Sequence, residues 1–189
     1  MRLPSCLLGF ALVLAVSAVT PVKRDLTSLK ADLATIASQT DALNTAINNF
    51  NQSMSITKAL ANTMDGGIKT LTSGVSQANT NTNSDDTFGI VDSVTVLCNI
   101  YQIIPALEAV LQNLIDQQNG FNLLHVLLAP IALLIEADLL ALKTATTAFE
   151  NSMISKTQGV QVPMQSAFDE LGTTLDNAIS TYSLLGLLT

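Results

Sequence analysis

Residues 26–50 read LTSLKADLATIASQTDALNTAINNF. Leu26, Leu29, Leu33, Ile36, Thr40, Leu43, Ile47 and Phe50 recur there in alternating steps of three and four. Only a helix brings such positions onto one side, so the stretch predicts a helix of about seven turns with one apolar stripe. The stripe needs other apolar faces to cover it, and the rest of the chain supplies them. Ile56, Leu60, Met64, Ile68, Leu71 and Val75 form a second stripe, with Gly66-Gly67 as its expected weak point. Asn79 to Asp86 is a run of Asn, Thr, Ser and Asp and reads as a surface loop, with Ser84, Asp85 or Asp86 capping the next helix.

A third stripe carries Phe88, Val91, Val94, Leu97, Cys98, Tyr101 and Ile104. Pro105 is expected to kink or break that helix, because it lacks a backbone donor. The pattern resumes through Leu107, Val110, Leu111, Leu114 and Ile115 to a turn at Asn119-Gly120. The fourth segment, Phe121 to Ile154, differs. From Leu123 to Ile135 every residue except His125 is apolar, and Pro130 lies inside the run. A helix apolar on all sides is expected to be buried on all sides, which puts this one at the centre of a bundle. Gly159 to Pro163 reads as the last loop, and Met164, Phe168, Leu171, Leu175, Ile179 and Tyr182 as the last stripe. No alternating β-branched run competes with these helices. The expected fold is all-α: a five-helix bundle.

The N-terminus has a different character. Met1–Ala18 carries a single charge, Arg2, then an apolar stretch from Cys6 to Val16, then small residues. That is the layout of a signal peptide, too short to span a bilayer. Lys23-Arg24 reads as a dibasic processing site, leaving residues 1–18 as signal peptide, 19–24 as propeptide and 25–189 as a single domain. From residue 25 onward 5 lysines face 15 acidic residues with no arginine, a net charge of −10. Such a surface repels nucleic acid and anionic membranes. No GPI signal or transmembrane segment is expected in the mature chain.

Chemistry is thin. His125 is the sole histidine, which leaves no His-rich zinc site, and it reads as a packed histidine rather than a base. Cys98 loses its only companion, Cys6, with the signal peptide and reads as a buried thiol, an intermolecular disulfide being the alternative. Asp85-Asp86 and Asp169-Glu170 read as groups at helix starts. Glu136 and Asp138, two apart, do not share a helix face. No catalytic residue, metal site or cofactor is expected. Asn51-Gln52-Ser53 makes Asn51 a glycosylation candidate. The concentrated signal is aliphatic. Helices interrupted by Pro105 and Pro130 are expected to splay and leave an apolar cavity that accepts an apolar ligand.

Five segments carry a family resemblance. They are Leu33-x-x-Ile36, Asp41-Ala42-Leu43-Asn44-x-Ala46-Ile47-x-x-Phe50, Leu111-x-x-Leu114-Ile115-Asp116, Leu142-Lys143-x-Ala145-Thr146-x-x-Phe149 and Leu175-Asp176-x-Ala178-Ile179-x-x-Tyr182. In order and spacing the chain resembles the fungal hydrophobic surface-binding protein A family, which includes cell-wall galactomannoproteins related to the Mp1 antigen. The resemblance implies a secreted bundle, five-helical in the lipid-binding members, around a pocket for long-chain fatty acids. It also implies adsorption to hydrophobic surfaces and recruitment of secreted hydrolases. The Ser/Thr-rich, GPI-bearing tail of the wall mannoproteins has no counterpart here. A fatty-acid tail is then expected among Val94, Leu97, Leu107, Leu111, Leu127, Leu128, Ile131, Leu134 and Ile135. The head group is expected at Gln52, Ser53, Ser55 or Thr57, held by hydrogen bonds. The alternatives are a surfactant-like protein and a structural wall mannoprotein.

Overall fold

The computed structural model describes residues 26–52, 58–117 and 125–187. Within them lie five helices: α1 (Leu26–Gln52), α2 (Lys58–Ser84), α3 (Ile90–Asp116), α4 (His125–Lys156) and α5 (Gln161–Leu187). The expected Asn119-Gly120 turn lies outside the described residues. The chain is rich in Thr and Ser, which compete with helical backbone bonds. Here their hydroxyls donate back to the carbonyl four residues earlier, as in Thr35 to Ala31 and Thr70 to Gly66, both within 2.9 Å. The polar residues thereby stay helical while the apolar stripes turn inward.

Each helix packs on two neighbours, in the cyclic order α1, α2, α4, α5, α3 and back to α1. The described helices therefore form a closed ring around an axis, with none of the five at its centre. This corrects the expectation for the fourth segment. Helix α4 is one stave: Ile131, Ile135, Leu139 and Leu142 face inward, while Leu133, Leu134 and Leu140 are 47%, 48% and 47% exposed. A helix without amphipathic contrast gives no sign of which face is outward.

Other expectations are corrected by tertiary contact. The polar run at Asn79–Ser84 is helix, because Thr82 is buried against Met153 and the Ser152 hydroxyl donates to Asn79 at 2.6 Å and lies 3.0 Å from Asn83. Helix α3 is capped by Gly89, not by Ser84, Asp85 or Asp86. Its start is set by docking: the Phe88 N–H donates to the Lys156 carbonyl at 2.7 Å, and the Phe88 ring is buried. Gly66-Gly67 does not interrupt α2. A Cβ on Gly67 would meet Leu43 Cδ1 at 2.9 Å, so the glycine lets α1 and α2 approach. Pro105 and Pro130 sit inside continuous helices on exposed faces. On α3 the missing bond falls to the Tyr101 carbonyl, on the solvent side of the helix. Gly159, at φ +73°, makes the α4–α5 turn. Helix α5 begins at Gln161 with Pro163 in its first turn, where no intrahelical N–H bond is lost. Asp169-Glu170 therefore lies two turns into α5 rather than at its start. By length and composition alone α3 is apolar enough to cross a membrane, but in the ring its inner face is core.

Candidate functional site

The ring axis is lined from every helix. One cavity is bounded by Leu43 of α1, Leu71 of α2, Leu107 and Leu111 of α3, Leu142 of α4 and Leu175 of α5. A second lies beside it, bounded by Ile36, Ile103, Phe149 and Phe168. The two share Val75, Leu107, Thr146 and Leu171, so they are adjoining parts of one axial channel. Phe149 and Phe168 meet edge to face at 6.0 Å, a favoured aromatic geometry. Among the described residues Thr146 is the only polar side chain in either lining. The cavities hold about 10 and 20 Å³, roughly one water each. The prolines expected to splay the helices face outward, and the inward aliphatics fill the space.

The site residues expected from sequence fall into distinct places. Leu107 and Leu111 line the channel. Ile131 and Ile135 are buried in the core beyond its lining, and Val94 and Leu97 pack partly buried against that core. Leu134 faces solvent, which corrects its expected inward place. The side chains of Leu127, Leu128, Gln52, Asn51 and His125 lie outside the described residues, as do Ser53, Ser55 and Thr57 altogether. Cys98 is half-buried. Sequence reasoning missed Leu43, Ile68, Leu71, Val75, Leu171 and Leu175 as lining, although every one belongs to a stripe it had found.

One end of the channel is stoppered. The loop between α2 and α3 brings buried Phe88 against the end of α4, and the Gln158 N–H donates to the Ser93 hydroxyl at 2.9 Å. On the flank between α1 and α3 lies an open groove of about 490 Å³. Lys30, Leu33, Ala34 and Ala37 line it from α1, and Thr95, Asn99, Gln102 and Ile103 from α3.

A carboxylate pair lies at the α2–α4 seam. Lys69 Nζ is 2.8 Å from Asp65 Oδ2 and 3.5 Å from Asp138 Oδ2. Burial, followed by the hydrogen bond and charge of Asp65, pushes Asp138 up to about 6. Asp65 lies below its usual value: burial acts to raise it, but hydrogen bonds from Asp138 and Lys69 outweigh that. The two acids thus differ in proton affinity beside one lysine, Asp138 raised and Asp65 lowered. Sequence reading did not pair them, since they are 73 positions apart. Glu108 and Glu150 are raised by burial and then by Glu170 and Asp169 respectively. None of these groups lines the axial channel.

Residues 26–155 match the family described as hydrophobic surface binding protein A. No curated protein matches in sequence. Several solved structures share the fold. Ligand binding domain 1 of the Penicillium marneffei MP1 protein, complexed with arachidonic acids, superposes with a TM-score of 0.73 at 12% identity, over 84% of this chain and 99% of that one. Ligand binding domain 2 of the same protein, also with arachidonic acids, gives 0.74 at 13% identity over 88% and 99%. Afmp4p in complex with palmitic acid gives 0.74 at 18% identity over 84% and 99%.

Proposed function

This chain belongs to the hydrophobic surface binding protein A family, and from that premise we propose that it binds long-chain fatty acids, or similar lipids, along the axis of its helical ring. The observation that carries the reading is the channel lining: aliphatic and aromatic side chains from all five helices, with Thr146 the one polar exception among the described residues. Apolar surroundings of that kind favour an apolar chain over water. Ligand pockets usually measure about 300–1,000 Å³. Binding therefore widens the ring, with the ligand tail replacing contacts that the core side chains make with each other. Structures of this fold in complex with arachidonic and palmitic acids support that capacity. Native mass spectrometry of delipidated protein with palmitate and arachidonate tests it. A 1:1 or higher adduct is expected, and no adduct at any chain length from C12 to C20 overturns it.

A second activity, adsorption to hydrophobic surfaces, is supported by the outer face of α4. Pro130, Leu133, Leu134, Ala137, Leu140 and Ala141 follow one another along that face over three turns, all exposed and all apolar. Isolated surface leucines are ordinary, but a contiguous stripe marks an interaction surface. Replacing Leu133, Leu134 and Leu140 together by Gln is expected to lower saturable binding to alkyl-coated beads severalfold and to leave fatty-acid binding intact. Unchanged adsorption removes α4 from this role. Once adsorbed, the protein would recruit secreted hydrolases to the surface, testable by their co-retention on coated beads.

The same reading makes the protein secreted, with residues 1–18 removed as signal peptide, cleavage after Arg24, and a glycan on Asn51. N-terminal sequencing and intact mass of the secreted product test all three.

A further inference from the structure

We propose that the groove between α1 and α3 is the portal and head-group site of the lipid channel, with Lys30 holding the ligand carboxylate. The inference rests on the lipid-binding reading and adds the place where the charged end sits. Among the described residues the channel lining offers a carboxylate neither a cation nor a cluster of donors, so a charged head group carried into it would be buried without a partner, which is strongly unfavourable. The head must stay at an opening while the tail goes in.

The groove meets that requirement. Leu33 and Ile103 line both the groove and the axial channel, so a single layer of side chains separates the two. Its volume of about 490 Å³ is the size of a ligand site, unlike the channel cavities. Its rim carries Lys30, Asn99 and Gln102, which together can donate several hydrogen bonds to a carboxylate, beside Thr95, whose hydroxyl donates to the Val91 carbonyl.

Charge singles out the same place. The protein is strongly acidic, so most of its surface repels an anion. Of the lysines with described side chains, Lys69 is held by Asp65 and Asp138, Lys143 by Asp176, and Lys156 by the carbonyls of Asn83 and Asp85. Lys30 is the one with no ion pair or side-chain hydrogen bond among the described residues. A lysine left unpaired in a groove of an acidic protein is available to an incoming anion. The seam can also part. It is, with the α3–α5 seam, one of the two sparser in the ring, and Asn113 donates to Asn44 at 2.9 Å roughly 10–15 Å along the helices from the groove, so the groove end lies away from that tie. This placement differs from the sequence expectation of Gln52, Ser53, Ser55 and Thr57, and it supplies a charged partner where only hydrogen bonds were expected.

The test compares palmitate with hexadecanol, which has the same tail and no charge, on full-length protein carrying Lys30→Glu or Lys30→Arg. Wild type is expected to bind palmitate more tightly than hexadecanol. Lys30→Glu should weaken palmitate about tenfold, the scale of a charged hydrogen bond, and leave hexadecanol within twofold. Lys30→Arg should restore palmitate. If Lys30→Glu changes both ligands equally or neither, the portal assignment is overturned while lipid binding stands. If wild type binds neither ligand, the lipid-binding reading fails with it. Ala34→Trp, which fills the groove, should slow association of both ligands at least tenfold with circular dichroism unchanged; unaltered rates also overturn the portal.

Discussion

Two seams of the ring are built on opposite principles. The α2–α4 seam is the densest in the molecule and is cross-linked along its length. The Ser152 hydroxyl donates to Asn79 and lies beside Asn83, Thr82 donates to the Met153 sulfur, and Lys156 reaches the carbonyls of Asn83, in the last turn of α2, and Asp85, just past it, while Asp65, Asp138 and Lys69 lock the other end. The α1–α3 seam is about half as densely packed; Asn44 and Asn113 join it towards one end, and a groove opens at the other. A closed ring admits a guest only by parting somewhere. Directional bonds resist sliding and separation, whereas apolar contacts exchange readily for those of a lipid tail. The difference assigns one side of the ring to hold shape and the other to yield.

The largest effect expected comes from breaking the firm side. Met153→Ala removes a fully buried side chain beside Thr82 and should destabilise the protein by about 2–5 kcal/mol in urea titration. A loss below about 1 kcal/mol would mean that the α2–α4 seam repacks easily and is not the rigid one. Next comes a direct contrast between seams. Ser152→Ala deletes a buried hydroxyl that bonds across the seam to Asn79 and should cost about 1–1.5 kcal/mol, while Asn113→Ala on the yielding seam should cost about 0.5 kcal/mol and speed lipid uptake. Equal costs with equal uptake rates would erase the distinction.

The smallest effect is the most specific. Asp138 titrates near 6 in the fold and near 3.8 when unfolded, so folding favours its protonated form. Its contribution is fully present below pH 3.8 and is lost as pH rises through 6. Asp138→Asn keeps a donor toward Asp65 at every pH. It should abolish that decline and raise stability at pH 7 by about 1 kcal/mol, read as melting temperature from pH 4 to 8. A variant that still declines between pH 4 and 6 places the titration on another group, Glu108 and Glu150 being the next raised acids.

Much of this architecture is legible in the chain itself. The stripe at 26–50 is helix α1 almost residue for residue, and the stripes beginning at Ile56, Phe88 and Met164 each supply buried core, the second from Met64 onward among the described residues. The misreadings share a cause. Asn79–Ser84 has loop composition, and it is helix because α4 offers partners for its polar groups. Helix α4 is apolar all round, which hides its outward face. Leu134 was assigned inward for that reason, whereas Leu71 and Leu175 line the channel from stripes that had already been read as core. Asp65 and Asp138 pair across 73 residues, and nothing local announces it. Lys30 looks like an ordinary surface lysine until the other described lysines are seen to be engaged.

The sequence by itself therefore determined that the chain is helical, how many helices it makes, which face of most of them is apolar, and that few charges are available for the interior. Those properties come from local periodicity and composition. Only the tertiary structure decided which helices are neighbours, which seam is bonded and which is open, and hence where a channel can be reached. Apolar stripes attract one another without direction and are interchangeable as partners. The cyclic order emerges only when all five pack at once, with side-chain volumes and a few polar pairs choosing among arrangements of similar apolar burial.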